Sequence, residues 1–409
     1  MTFVKALFTL LVGSTIQATL ADDWVSYGGN HRDHTSLEKG MRLDWGNEEP
    51  KRMWTLEVGL GFSSVVEADG IALCQGHESG KNTLFCVDSE SGQIKWTHTY
   101  PCRKGDKFFL GGTRSTPTIS AGFAYVLSHE GDLYAIDSKS GKVVWSKDLV
   151  SDLNGIRPEW GYSGCPLLTD GKVIVETGNP SGSLVALNAK TGSLLWRGGG
   201  HEAGYSSVKL RSYSKGELLL FNQFGLSIHE TISGKEIKSY QHKTRYGVNA
   251  ALPVEFGNKI LISSGYGKGS ALVDFARITP NAVWETDDVS CQIASMVKLN
   301  DFAYGINGQA GTRSSQSTLF CLDLQKGQKV WEKKGFGLGS LILVKETLVV
   351  LSDIGELFLV RANPKKYEEL ANFQVLSGKN NWAPPVYSNG KMHCRSSNGE
   401  WVCLAMSEI

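Results

Sequence analysis

Short apolar runs and polar turns alternate along nearly the whole chain after residue 50. "FAYVLSH" (123–129), "LYAIDS" (133–138) and "KVVWSKDL" (142–149) are of strand length and are separated by Gly, Asp and Ser clusters. The runs also repeat as phrases. "LYAIDSKSGKVVW" has close copies in "LFCVDSESGQIKW" (84–96), "LVALNAKTGSLLW" (184–196) and "LFCLDLQKGQKVW" (319–331). Trp96, Trp145, Trp196, Trp284 and Trp331 mark clear copies of the closing strand. Two weaker copies carry Ile237 and Leu370 at that place. A further tryptophan strand, "KRMWTLEV" around Trp54, has no partner strand before it, and the last pair, "KMHCRSSNGEWVCLA", has no tryptophan strand after it. The two ends complete each other.

A second phrase, glycine or aromatic residues leading into a strand, gives an independent count. It runs through "GLGFSSVV", "GGTRSTPTI", "EWGYSGCPLL", "EAGYSSVKL", "RYGVNAALPV", "DDVSCQIASMV", "GFGLGSLILV" and "NNWAPPVYS". Two more strand-like runs lie between each lead-in and the tryptophan strand that follows. The unit is therefore four antiparallel strands, and its length is close to the roughly forty to fifty residues of a propeller blade. These patterns predict an all-β, eight-bladed β-propeller of four-stranded antiparallel blades, with the N-terminal strand joining the C-terminal blade to close the ring. The repeated residues acquire structural tasks. Asp88, Asp137 and Asp323 accept turn hydrogen bonds. Gly92, Gly141, Gly192 and Gly327 supply positive φ. The docking tryptophans, Trp54, Trp96, Trp145, Trp196, Trp284 and Trp331, wedge between neighbouring blades.

Composition changes this picture little. With 42 basic and 41 acidic side chains the formal charge is +1, so nothing points to a nucleic-acid partner. Lys5 followed by "ALFTLLVGSTI" reads as an export signal over 1–21, cleaved near Ala21. Residues 22–50 then form an N-terminal extension and 51–409 a single propeller domain. No later run is long enough for a membrane helix, so a periplasmic or secreted, monomeric protein is expected. Eight cysteines suit an oxidising compartment. Counting outward from Asn398-Gly399 as a two-residue turn sets Cys394 opposite Cys403, and counting about Gly80 sets Cys74 opposite Cys86, so both are candidate disulfides. His31, Asp33 and His34 are read as part of an exposed N-terminal segment rather than a metal site.

"AIDSKSGKVVW" and "ALNAKTGSLLW" resemble the blade motif of the pyrroloquinoline-quinone (PQQ) quinoprotein propellers, over nearly the whole expected mature chain. "DWVSYGGNHRDHTS" is similar to the opening of exported PQQ-like propellers of planctomycetes and related bacteria. A better understood relative is the propeller lipoprotein of the outer-membrane β-barrel assembly machinery, which scaffolds protein partners; this chain lacks its lipidation cysteine. The resemblance also implies an alternative, a PQQ- and calcium-dependent alcohol or sugar oxidoreductase. That family's catalytic pocket commonly carries a disulfide between adjacent cysteines, and no two cysteines are adjacent here.

No H-E-x-x-H, phosphate loop, G-x-S-x-G or C-x-x-C-H occurs in the sequence. No catalytic residues, no metal and no cofactor are expected. The lead-in phrases converge on the propeller axis, and their positions nominate Phe62, Arg114, Tyr162, Tyr205, Asn249 and Trp382, with Trp160 beside them, as an axial ligand funnel. Arg114 would hold a carboxylate or phosphate. The expected function is a non-catalytic binding or scaffolding propeller of the cell envelope, with a protein partner or small ligand. A carbohydrate-binding propeller using the same aromatics is the weaker alternative.

Overall fold

The computed structural model describes residues 23–46, 48–105 and 108–407. The expected export signal lies outside the described residues. Eight antiparallel sheets follow one another along the chain. Blade 1 contains Val66–Ala68, Ile71–Glu78, Lys81–Asp88 and Ile94–Pro101 in order from axis to rim. Blades 2 to 7 repeat this plan, from Thr118–Ser120 to Glu369–Gln374. Blade 8 takes Val386–Ser388, Lys391–Arg395 and Glu400–Ala405 from the C-terminus and Arg52–Glu57 from the N-terminal side, with Trp54 paired to Cys403. The ring is thus closed as the unpaired ends of the sequence predict. One three-residue 3-10 turn, Ser314–Gln316, is the helical content of the described residues, and none of their helices is long and apolar enough to cross a membrane.

The position of a strand in its blade dictates its pattern. Middle strands such as Thr347–Leu351 and Lys391–Arg395 are buried at every residue, because a neighbouring blade covers each face. Rim strands such as Gln328–Lys334 alternate and leave charged residues in solvent. Leu348, Val349 and Leu351 are fully buried, each stabilising by about 1.5–3 kcal/mol relative to exposure. Between blades, Trp54, Trp96, Trp145, Trp196 and Trp284 each lie on the turn glycine of the next blade, while Trp331 meets the glycine-free turn at Asn363. A Cβ placed on Gly92, Gly141, Gly192 or Gly327 would fall 2.5–2.8 Å from the rings of Trp54, Trp96, Trp145 and Trp284 in turn. The indoles also donate across the junction: Trp96 Nε1 to Ser138 O at 2.8 Å, Trp145 to Ala189 O at 2.9 Å and Trp284 to Leu324 O at 2.8 Å. The turn aspartates act as expected, Asp88 and Asp137 accepting the amides of Ser91 and Ser140.

Two expectations fail. Both proposed cysteine pairs are out of register by one residue. The first hairpin turns through Ser79-Gly80, both at positive φ, so Cys74 faces Phe85 and Cys86 faces Leu73. The second has a three-residue loop, 397–399, between Ser396 and Glu400, whose amide and carbonyl hydrogen-bond at 2.8 Å, which puts Cys394 opposite Val402 and Cys403 opposite His393. A one-residue slip moves a side chain to the other face of the sheet, and all eight cysteines are free and buried. The N-terminal extension is likewise more buried than expected: His31 is exposed, but Trp24, Arg32 and His34 are buried. Residues 23–46 run under the ring as a strap. Trp24 bridges Glu67 of blade 1, and Val25 O accepts the amide of Ile119 in blade 2. Arg32, 3% exposed, donates to the carbonyls of Cys165 and Pro166 before blade 3 and of Val208 before blade 4. Thr35–Ser36 adds a parallel fifth strand to blade 7. Glu38 accepts the amides of Asn389 and Gly390 in blade 8. His34 is buried with the strap, edge-on to Tyr27 at 4.9 Å.

Candidate functional site

Seven of the eight connections that lead from a rim strand to the next inner strand, all but that between blades 6 and 7, supply residues to a cavity of about 640 Å³. Phe62, Arg114, Trp160, Tyr205 and Trp382 line it, as the lead-in phrases predict. Tyr162 and Asn249 do not. Tyr162 is buried between blades 2 and 3 and donates to Thr177 O at 2.9 Å. Asn249 is fully buried; its amide nitrogen donates to Asn222 O and His242 O, and its oxygen accepts from Ser264. Both side chains point into a blade junction, where they tie connections together, rather than towards the axis.

Aromatic contact fixes the walls. Phe62 and Trp382 stack at 4.9 Å and 21°, with Phe109 edge-on to Trp382 at 4.8 Å. Phe108 meets Trp160 at 5.7 Å, and Tyr246 meets Tyr266 at 4.9 Å. Tyr205 Oη accepts the Trp160 amide at 3.2 Å, and burial pushes its phenol up to about 12, so it stays neutral. Tyr27 of the strap also lines the cavity, so one wall comes from outside the blades. Phe108, Phe109, Tyr246 and Tyr266 were not singled out from the sequence, since they lie in connections with no strand period. Their signal was aromatic residues beside basic ones, in "KFF", "TRYG" and "GYGKG".

The charged groups of the lining are Arg114 and Glu159. Arg114 Nη2 donates to Gly105 O at 3.3 Å. Calcium takes about six to eight oxygen ligands, usually with several carboxylates. This cavity offers one carboxylate, and the side-chain oxygen of Gln292 is taken by the Ala310 amide at 2.6 Å. No cluster of three or more His, Cys, Asp or Glu able to hold a metal occurs among the described residues. One arginine is also a poor match for the three carboxylates of PQQ. The donor set does not fit a calcium-held quinone.

A second carboxyl lies behind the cavity wall. Glu176 borders a void of about 10 Å³ that shares Ser163 and Cys165 with the cavity. Its Oε2 accepts the Gly204 amide at 3.2 Å, while Oε1 has no partner among the described residues. Burial raises its pKa from 4.5 to about 8. The folded protein therefore holds this proton across a pH window in which the unfolded chain has released it. Stability from this group is complete below about pH 4.5 and falls as pH rises towards 8, by a few kcal/mol (~1.4 per unit of separation). Glu176→Gln removes the titration but keeps the shape. Its denaturant midpoint should vary less between pH 5 and 8 than the parent's and exceed it at pH 8. Parallel curves would show that Glu176 is ionised in the fold.

A family model described as Outer membrane protein assembly factor BamB matches residues 80–333. The chain is 26% identical over 201 residues to the Alcohol dehydrogenase (quinone), dehydrogenase subunit, of Gluconacetobacter polyoxogenes, covering 45% of this chain and 27% of that protein. It is 27% identical over 146 residues to the Outer membrane protein assembly factor BamB of Nitrosomonas eutropha, covering 36% of this chain and 31% of that one. The chain thus spans under a third of the length of either relative. Among solved structures, the quinohemoprotein alcohol dehydrogenase of Comamonas testosteroni superposes with a TM-score of 0.70 at 14% identity, over 95% of this chain and 81% of that one. That likeness is one of fold.

Proposed function

The chain belongs to the family described as outer membrane protein assembly factor BamB, and from that premise we propose that it is a non-catalytic propeller that binds a partner protein in the cell envelope through the mouth of its axial cavity. The observation that carries this reading is the lining itself: an aromatic concavity with one arginine and one carboxylate. Large aromatic surface with a few fixed polar groups suits recognition. Phe108, 72% exposed beside Trp160, carries that surface out to the rim. The envelope location follows the family and the expected export signal. A photo-cross-linking residue at Phe108 should trap protein in intact cells, whereas the same residue at the rim position Leu195 should not. Equal yields at both positions would remove the cavity mouth from the proposal. Arg114→Ala should leave the unfolding midpoint within about 1 kcal/mol of the parent, as for surface positions, and weaken the Phe108 cross-link. A collapse of the midpoint would give Arg114 a structural role instead.

The similarity to a quinone-type alcohol dehydrogenase subunit favours a second reading, PQQ- and calcium-dependent oxidation of an alcohol or sugar. Ligands that bind only the folded state raise its stability with concentration. Thermal unfolding with PQQ and calcium separates the readings: no shift is expected, and a saturable rise would establish a cofactor site.

A further inference from the structure

The scaffolding proposal leaves the chemistry of the partner open, and the charges around the cavity mouth narrow it. On the side of blades 4 to 6 the aromatic wall is edged by cations. The connection after Glu236–Gln241 carries Lys243 and Arg245, both exposed, with the Arg245 guanidinium 5.3 Å from the Tyr246 ring. The hairpin loop between Lys259–Ser264 and Gly269–Asp274 carries Lys268, two residues from Tyr266. The loop after Phe302–Asn307 carries Arg313, two residues from Gly311 of the lining. None of these four cations is in an ion pair among the described residues. The acidic residues closest in sequence to them are Asp274, six residues after Lys268, and Glu236, seven before Lys243; Asp287 and Asp288 follow the rim strand Asn281–Thr286 and run alongside the Lys268 loop, without an ion pair to it among the described residues. Glu159 sits among the lining residues supplied by the blade 2 to 3 connection.

We propose that the mouth docks an acidic peptide segment bearing an aromatic side chain. The ring enters the cavity between the Phe62–Trp382 stack and Tyr246, and flanking carboxylates meet Arg245, Lys268 and Arg313. A nucleic acid could stack a base in the cavity, but a chain with 42 basic and 41 acidic side chains offers its phosphates no continuous positive track. An uncharged apolar ligand would fill the cavity and leave the cations without partners. An acidic aromatic segment uses both, with the buried ring supplying affinity and the exposed charges supplying steering and orientation.

This inference rests on the scaffolding reading, and its test is separate. The probe is a fluorescein-labelled Asp-Asp-Phe-Asp-Asp peptide, titrated with the purified protein by anisotropy at low salt. Saturable binding is expected. Replacing the peptide's Phe by Ala, or its four Asp by Asn, should each weaken binding at least about tenfold, the scale of one hot-spot contact. Added salt should weaken the parent peptide. Arg245→Glu combined with Lys268→Glu should weaken it similarly, with an unchanged unfolding midpoint, and Arg313→Gln should act in the same direction. Lys190→Glu, in an exposed turn of blade 3, should have no effect. Equal binding of the Ala peptide would reduce the site to a polyanion surface and overturn the proposal. Equal binding of the Asn peptide would overturn it as well, leaving an apolar site. If no peptide binds while the Phe108 cross-link persists, the acidic aromatic partner falls and the scaffolding reading stands. If both fail, so does the scaffolding reading.

Discussion

Arg395→Met should lower stability by at least about 2 kcal/mol, since it leaves the Gly59 and Gly61 carbonyls without a donor at roughly 1–3 kcal/mol each, while Gln75 O keeps the Thr113 hydroxyl at 2.9 Å. Arg395 is 1% exposed and lies in blade 8. Its guanidinium donates to Gly59 O, Gly61 O and Gln75 O, the first two on the connection that leaves the N-terminal strand and the third in blade 1. Blades 8 and 1 are the pair whose junction must be made between distant ends of the chain. Glu67 of blade 1 reinforces it, accepting from His393 Nε2 at 2.9 Å and Lys391 Nζ at 3.1 Å. Burial alone would raise the Glu67 carboxyl, but the His393 and Lys391 contacts outweigh it and hold it below its usual range. Methionine conserves length and apolar contact, so the loss reports the donors. Denaturant unfolding gives the magnitude. Amide exchange gives the location: Arg52–Glu57 should exchange faster in the variant while blade 4 is unchanged. A loss below about 1 kcal/mol, or uniform acceleration, would mean that this junction is no weaker point than any other.

The ring was legible in the sequence because every blade meets the same packing problem and solves it with the same residues. Trp96, Gly141 and Asp137 each serve a junction whose geometry recurs around the ring, so the phrase recurs too. The strap was not legible for the converse reason. Arg32 finds its carbonyls 133 to 176 residues away, and nothing periodic in the segment announces them. The cysteine pairings failed on turn length: one extra loop residue at 397–399, which the Asn398-Gly399 dipeptide does not reveal, and a two-residue turn at Ser79-Gly80 that is not centred on Gly80. The axial site was half legible. The lead-in phrase locates the connections that reach the axis, but it does not fix side-chain direction: Tyr162 and Tyr205 hold the same Gly-Tyr-Ser position and find different hydrogen-bond partners. Tyr205 faces the cavity, while Tyr162 and Asn249, chosen by the same phrase, turn into the junctions. Two buried arginines with parallel tasks, Arg32 and Arg395, fasten the segments that the repeat does not supply.

Trp145→Ala should cost about 3–5 kcal/mol, the range for emptying a large aromatic site in a core. The ring is 9% exposed and packs in the cluster shared by blades 2 and 3. The lost hydrogen bond adds little, because Ala189 O keeps the Tyr125 hydroxyl at 3.1 Å. The cost is therefore one of packing, and a second substitution tests that attribution. Gly192 has a φ of +69°, and a Cβ there would meet the Trp145 ring at 2.7 Å. Gly192→Ala should thus destabilise twice over, by about 1–3 kcal/mol for the backbone conformation and by more for displacing the indole. With Trp145 already removed, the steric part vanishes and the conformational part stays. The double variant should accordingly be more stable than the sum of the single losses implies, by about 0.5–3 kcal/mol of coupling. Strict additivity would mean that the ring and the turn do not bear on one another, and that the tryptophan at each rim strand is held by its own blade alone.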